Sequence, residues 1–269
     1  MGFGLKKAKA LWEEFSGIAA ETHASSIAYF VFLSLIPLLT LNISIATMAG
    51  LDERQVVEFF SAIAPDTFDD FAKTLIGDAY KQSGLAFSLS TVTLLWTASR
   101  GIKALHSGLT AAYGVQEQRG PVAVAVICMG MAIILGILLA ATIFLVFGGP
   151  VLRAMAWLVP GLEQRGDVLN ALNAAAMAVL GTVALGLCYT YLPDGSRRFA
   201  AQLPGAVIAS LSCGVLTLGF HVYVDNFCNS EALYGSIATI ALFLFWMFLV
   251  SQILIVGAFL NRVRASSSS

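Results

Sequence analysis

The chain has 269 residues, of which 58% are hydrophobic and only 12% are charged, and its mean hydropathy is +0.83. Soluble domains carry about 25% charged residues, so this composition excludes an ordinary soluble globular protein. The net charge of −1 does not decide for or against a nucleic-acid partner, because a membrane can separate charges of opposite sign.

Six stretches of the sequence contain no Asp, Glu, Lys or Arg, and they are 18 to 33 residues long. A helix needs about 20 apolar residues to cross a hydrocarbon core of roughly 30 Å, and every stretch reaches or approaches that length. The pattern predicts an all-α integral membrane protein with one six-helix domain at 23–264. The predicted transmembrane helices are 24–50, 83–102, 121–148, 168–192, 202–224 and 233–261.

The basic residues predict that both termini are cytoplasmic. With six spans, ten of the fifteen Lys and Arg residues fall on the side of the two termini, and five fall on the other side. Cytoplasmic loops are enriched in Lys and Arg, so the richer side is assigned to the cytoplasm.

The segments outside the spans also show patterns. Residues 1–22 place apolar side chains at helical spacing between lysines and glutamates, which predicts an amphipathic interfacial helix on the cytoplasmic surface. Residues 52–80 predict an extracytoplasmic segment of short amphipathic helices. A further surface helix is expected at 152–158, and 265–269 is expected to be a flexible tail.

Span one contains two features that are costly in lipid. Pro37 lacks a backbone N–H and leaves the carbonyl of Leu33 without its helical partner, so a kink is expected there unless another group compensates. Asn42 follows in the same span. Either the kinked helix lines a substrate cavity with Asn42 as a polar point, or the kink packs against neighbours and Asn42 bonds across helices.

Arg100 ends span two, and Lys103 and His106 follow on the same helical face. The simpler interpretation is that the Arg100 side chain extends to the cytoplasmic interface. The alternative is that it faces an inner cavity and holds an anionic headgroup or a phosphate.

Spans four and five contain small or polar residues at every fourth position. Such slanting ridges favour close helix packing over a water-lined path. The positions are Asn170, Ala174, Ala178, Thr182, Gly186 and Thr190 in span four, and Gly205, Ala209, Cys213, Thr217 and His221 in span five.

No arrangement of residues in the sequence indicates an enzyme. The three histidines lie on different spans or ends, and none has a partner at metal-ligand spacing. The acidic cluster at 66–70 is explained by helix capping. We therefore predict no catalytic residue, no metal site and no cofactor.

Several sequence blocks follow one another from span one to span six. They are AYFVFLSLIPLL at 28–39, WTASRGIKAL at 96–105, and the segments 112–119, 192–206 and 220–236. In this order they resemble the YihY/BrkB family of bacterial inner-membrane proteins. The resemblance implies a multi-pass protein of the bacterial inner membrane. Members of that family have carried a ribonuclease label or have been associated with serum resistance or export of lipid precursors.

The sequence and the resemblance together favour a transport-type protein that moves an amphipathic or lipid-like substrate and is not ATP-driven by itself. Arg100 and Lys103 would attract an anionic headgroup. The predicted substrate contacts are Asn42, Arg100, Lys103, Asp225, Asn226 and Tyr234, with Pro37 as a hinge and Gly235 as a point of close backbone approach.

The alternative is a non-transporting membrane scaffold that presents the helices of 52–78 to an envelope protein. Ribonuclease activity is rejected, because the acidic cluster lies on the outer side and the cytoplasmic side offers mostly Lys and Arg. The expected partners are membrane lipids, with a homo-oligomer and an envelope protein left open, and no nucleic acid.

Overall fold

The computed structural model describes residues 13–48, 77, 85–147, 166–227 and 235–267. These residues form six long helices and no strand, which confirms the prediction of an all-α protein. The helices are α1 (Ala20–Met48), α2 (Leu85–Tyr113), α3 (Pro121–Phe147), α4 (Gly166–Tyr191), α5 (Phe199–Phe227) and α6 (Gly235–Ser267).

Each helix overlaps one of the predicted spans, and four are long and apolar enough to cross a membrane when only the described residues are considered. The structure therefore defines a multi-pass membrane protein, while the count of six spans stays a prediction. The four segments are Pro121–Leu138, Ala174–Tyr191, Phe199–Phe220 and Ile240–Ser266.

Helix α2 differs most from its predicted span. It continues to Tyr113, eleven residues past the predicted end at 102, so Arg100 lies within the helix and not at its end. At the other end of the chain, α6 continues to Ser267 and includes part of the predicted tail.

The predicted amphipathic segments lie mostly outside the described residues. This applies to 152–158, to 52–80 apart from Gly77, and to residues 1–12 of the N-terminal segment. Residues 13–16 are helical, and a turn at 17–19 separates them from α1. Ala19 in this turn has a φ of 53°, a left-handed conformation that costs an L-residue roughly 1–2 kcal/mol.

Helices that are consecutive in sequence are neighbours in space. Each helix packs against the next, and α6 returns to α1, so the six helices form a closed ring in chain order. α6 also packs against α2 across the ring. Of the six neighbouring pairs, α3 and α4 are the least closely packed.

Among the side chains that the structure describes, the fully buried ones lie in one half of the bundle. They cluster in the first halves of α1, α3 and α5 and in the second halves of α2, α4 and α6. That half is the one that the charge pattern assigns to the cytoplasm. Each helix contributes a side chain with at most 1% exposure: Ala24, Leu109, Cys128, Tyr189, Ala206 and Ile255.

Helices α5 and α6 approach each other closely at two glycines. A Cβ atom at Gly205 would overlap the carbonyl oxygen of Gly257, and one at Gly257 would lie 2.5 Å from Oη of Tyr189. The hydroxyl of Tyr189 donates a hydrogen bond to the carbonyl of Leu254 at 2.8 Å and so joins α4 to α6. At this crossing, the small residues of span five serve helix packing, whereas Thr217 further along α5 is exposed.

We predict that Gly205→Ala lowers the free energy of unfolding by about 1–3 kcal/mol, because the added methyl group meets backbone that cannot move cheaply. Gly214→Ala on the same helix is the matched control, since nothing lies within 4 Å of its Cβ position. The control should be neutral or gain up to about 1 kcal/mol from better helix propensity. Thermal unfolding of both variants in detergent tests this, and equal shifts would contradict the close crossing.

Candidate functional site

Charged and polar side chains close the tightly packed end of the bundle. We call them the end network, and they come from the α2–α3 loop, the α4–α5 loop and the adjoining helix ends. Its members are His106, Tyr113, Glu117, Arg119, Asp194, Arg197, Gln202, Asn261 and Arg262.

The carboxylate of Glu117 contacts the guanidinium of Arg119 and the imidazole of His106. Its two carboxylate oxygens accept hydrogen bonds from Nε and Nη2 of Arg119 at 2.6 and 2.7 Å. Nε2 of His106 lies 2.7 Å from the second oxygen, and the imidazole is buried. The hydrogen bonds from Arg119 lower the pKa of Glu117 to about 2, so this carboxylate stays charged at every physiological pH.

Arg119 joins two loops. Besides holding Glu117 of its own loop, it donates a hydrogen bond to the carbonyl of Leu192 at the end of α4 at 2.6 Å. Its Nε lies 3.5 Å from Oδ1 of Asp194, and the backbone N–H of Gln118 donates to the other Asp194 oxygen at 3.0 Å. The α2–α3 loop is therefore tied to the α4–α5 loop through one guanidinium and one carboxylate.

Asn261 of α6 compensates for an irregularity at the start of α5. Pro204 lies inside that helix and lacks a backbone N–H. The next residue, Gly205, donates its N–H to the side-chain oxygen of Asn261 at 2.8 Å. The amide of Asn261 also donates to the carbonyl of Gln202 at 2.9 Å. The Gln202 side chain accepts a 2.5 Å hydrogen bond from the Tyr113 hydroxyl, which connects α2 to α5 and α6.

Two further arginines complete the end network. The guanidinium of Arg197 lies over the ring of Tyr113 at 4.5 Å and donates to the carbonyl of Asp194 at 2.7 Å. Arg262 of α6 pairs with Glu14 and donates to the carbonyl of Ala112 at 3.3 Å. Three arginines thus link the N-terminal segment, both loops and three helices.

The charge pattern of the sequence predicts a cytoplasmic position for these arginines, but it does not predict the end network. Glu117 and Arg119 are two residues apart, and such a spacing is common in loops that form no specific contact. The contacts that tie separate segments of the chain together join residues 56 to 248 positions apart, so no local pattern reveals them.

The structure places Arg100 and Lys103 on one exposed face of α2. The guanidinium of Arg100 lies over the ring of Trp96, 5.4 Å from its centroid, and that ring is 56% exposed. Helix α1 continues without interruption through Pro37 and Asn42, whose side chains lie outside the described part of the structure. The predicted joint site of Arg100 and Asn42 stays a prediction.

Three further predicted residues lie at the other end of the bundle. Asp225 and Asn226 belong to the last turn of α5, and Gly235 is the first residue of α6. Tyr234 lies outside the described residues. Arg100 and these residues are therefore at different heights along the bundle.

An apolar cavity of about 300 Å³ lies between α5 and α6, in the half of the bundle away from the end network. It adjoins a row of aromatic rings in which Phe243 and Phe220 contact Trp246 with centroids 5.8 and 6.4 Å away. The cavity is lined by Leu216, Gly219, Phe220, Tyr223, Leu242 and Phe245.

The end network holds helices and loops together and offers little for chemistry. The carboxylate of Glu117 is occupied by Arg119, and the His106 imidazole is only 7% exposed. Within the described ranges, no three His, Cys, Asp or Glu side chains are grouped so that they could hold a metal ion.

The helical ring and its apolar segments define a multi-pass α-helical membrane protein. Residues 11–269 match the family model described as "Virulence factor BrkB", and the chain therefore belongs to that family. This confirms the resemblance drawn from the sequence blocks. No solved structure matches the chain.

Three bacterial relatives show how far the similarity extends. The ribonuclease-like protein YfkH of Bacillus subtilis is 24% identical over 95% of this chain and 94% of its own length. A UPF0761 membrane protein of Alkalilimnicola ehrlichii is 25% identical over 95% of this chain, which spans 57% of that protein. A UPF0761 membrane protein of Photobacterium profundum is 26% identical over 87% of this chain and 73% of its own length.

We predict that Glu117→Gln lowers the melting temperature at neutral pH and that its effect diminishes in acid. The pKa of Glu117 is about 2 in the folded protein and 4.5 in the unfolded chain. The charge of this carboxylate therefore stabilises the folded state fully at pH values above about 4.5. That contribution declines as the pH falls through the interval between the two values. The melting temperatures of the wild type and the variant should therefore converge as the pH falls from about 4.5 towards about 2. A constant difference across this range would contradict the assignment.

Proposed function

We propose that the protein moves an anionic amphiphile, such as a lipid with a phosphate headgroup, across or within the bacterial inner membrane, and that it is not an enzyme. The observation that carries this proposal is the position and direction of the Arg100 side chain. Membership of the BrkB family supplies the membrane setting and does not by itself supply the transport function.

Arg100 lies deep along α2. It precedes Tyr113 by thirteen residues, which at 1.5 Å per residue places it about 20 Å from that end of the helix. Tyr113 bonds to Gln202, where the predicted span five begins. Arg100 is therefore expected within the hydrocarbon layer and not at its cytoplasmic boundary.

The Arg100 side chain also points away from the cytoplasmic end. Its guanidinium lies over Trp96, which is one helical turn closer to the N-terminus of α2 and so closer to the middle of the bilayer. Extension to the cytoplasmic interface would require the opposite direction. This geometry favours the interpretation that Arg100 binds an anion. It disfavours the simpler interpretation, in which the side chain extends to the cytoplasmic interface.

Lys103 adds a second cation to the same exposed face, about 15 Å from Tyr113. Neither cation has an ion-pair partner among the residues that the structure describes. Cations at this depth are costly unless an anion or water reaches them. An anionic headgroup is the partner that membrane lipids can supply, and its apolar chains would lie along the exposed apolar side chains of the bundle.

The absence of enzyme chemistry is part of the proposal. A general base must reach the substrate in its unprotonated form and accept a proton near the working pH. Glu117 is held by Arg119 with a pKa of about 2, which makes it a poor base. The ribonuclease-like name belongs to YfkH, and nothing in the end network favours that activity for this chain.

The test is lipid translocation in reconstituted vesicles of phosphatidylethanolamine with a minor share of phosphatidylglycerol. A trace of phosphatidylglycerol that carries a fluorescent chain reports on movement, because dithionite quenches only the outer leaflet. We predict that the wild type speeds translocation and that Arg100→Ala with Lys103→Ala abolishes most of the gain. Fluorescent phosphatidylethanolamine should move more slowly, because it lacks a net negative charge.

Arg198→Ala is the matched control, since this exposed arginine lies in the α4–α5 loop and not on the proposed lipid path. It should retain the wild-type rate. If the wild type moves lipid no faster than vesicles without protein, under any imposed ion gradient, the transport proposal is wrong. The scaffold interpretation would then be preferred.

A further inference from the structure

The joint between α3 and α4, which we call the α3–α4 seam, is held differently from the other joints of the ring. These two helices are the least closely packed neighbours among the described helices. By contrast, α5 and α6 meet backbone to backbone at Gly205 and Gly257. A ring of helices opens most easily where the helices contact each other least.

The cytoplasmic end of the α3–α4 seam is closed by loop side chains. Arg119 immediately precedes α3 and reaches the carbonyl of Leu192 and the carboxylate of Asp194, which follow α4. The hydrogen bond from Gln118 N–H to Asp194 crosses the same gap. The other two arginine ties do not cross it: Arg262 joins α6 to α2, and Arg197 lies within the α4–α5 loop and over α2.

We propose that the α3–α4 seam is a lateral portal through which the headgroup of the amphiphile passes between bundle and bilayer, and that Arg119 is its latch. This inference rests on the proposed function, because it assigns a route to the proposed substrate. The structure represents the latched state, in which the cytoplasmic half is tightly packed.

The latch is built to open. The side chains of Arg119, Glu117 and Asp194 are 21%, 22% and 24% exposed, so water can replace their contacts at modest cost. An anionic headgroup is the same kind of partner for a guanidinium as a carboxylate is. A phosphate that reaches Arg119 can therefore compete with Asp194 and weaken the tie to the α4–α5 loop.

Two native thiols are buried on the two helices that form the α3–α4 seam. Cys128 lies on α3 and Cys188 on α4, and they are only 1% and 2% exposed. Cys213 is half-buried and belongs to α5, which is not one of these two helices. The chain thus carries one thiol on each side of the proposed portal and an internal reference.

The first experiment measures alkylation of these thiols by N-ethylmaleimide in the reconstituted full-length protein, with each cysteine quantified by peptide mass spectrometry. Arg119→Ala should raise the alkylation rates of Cys128 and Cys188 several-fold and leave that of Cys213 unchanged. Arg262→Ala is the matched control, because it removes an arginine tie that does not cross the seam, and it should leave both rates near the wild-type values. A merely structural role would raise all three rates in both variants together with a fall in melting temperature, and that outcome would overturn the proposal.

The second experiment repeats the translocation assay with fluorescent phosphatidylglycerol. Arg119→Ala should change the rate several-fold, and Gln118→Cys with Asp194→Cys, joined by a short thiol crosslinker in a background without the native cysteines, should stop translocation. Reduction of a cleavable crosslinker should restore it. If the wild type moves lipid and the crosslinked protein moves it equally fast, the portal is wrong and the transport function stands. If no form moves lipid while the thiols of Arg119→Ala become reactive, the seam opens but the lipid route and the proposed function fail.

Discussion

Apolar side chains gain little by leaving lipid for the interior of a helical bundle, and this constraint governs the whole structure. Helices in a membrane must be held by close approach and by polar bonds. The first device appears at Gly205 and Gly257, where two backbones touch. The second appears in the end network, where Arg119, Arg197 and Arg262 bond to carbonyl and carboxylate oxygens of other segments.

The same constraint accounts for the uneven packing of the bundle. Polar ties are strong where they are partly removed from water but still reach the aqueous boundary, so they concentrate at one end. The buried core lies at the same end as these polar ties, and side chains such as Leu109 and Ile255 are fully buried there. In the other half, apolar side chains such as Val215, at 71% exposure, are free to face lipid without penalty. Among the described residues, close packing and polar ties therefore coincide at one end of the bundle.

The sequence predicted the elements of the fold well, because charged residues cannot easily enter a bilayer and so mark where helices end. For α2 the predicted span ends at 102, whereas the helix continues to Tyr113 and contains Lys103 and His106. Those residues fit inside the helix because His106 bonds to Glu117 and Lys103 faces outward. The candidate site was less predictable, since its bonds join residues far apart in the chain.

The direction of a side chain is likewise invisible in a sequence. The position of Arg100 after Trp96 allows either extension to the interface or a contact with the ring, and only coordinates distinguish them. The interaction of a cation with an exposed ring is worth roughly 0.5–1 kcal/mol, too little to fix an arginine in hydrocarbon by itself. An additional anion or water is needed to make that position stable, which is why the direction of this one side chain carries the functional argument.

Arginines that set the topology of a membrane protein are usually counted as charges, but here three of them also hold the fold together. A lysine could serve the topology equally well, yet its ammonium is a point charge and lacks the planar fork that binds several oxygens at once. Arg119 uses that fork to hold Glu117 while it donates to Leu192 and approaches Asp194. A tie with several partners can exchange one of them without releasing the rest. In the proposed portal, the pair of Arg119 and Asp194 is the contact across the α3–α4 seam at which an arriving anion competes with the protein for a guanidinium.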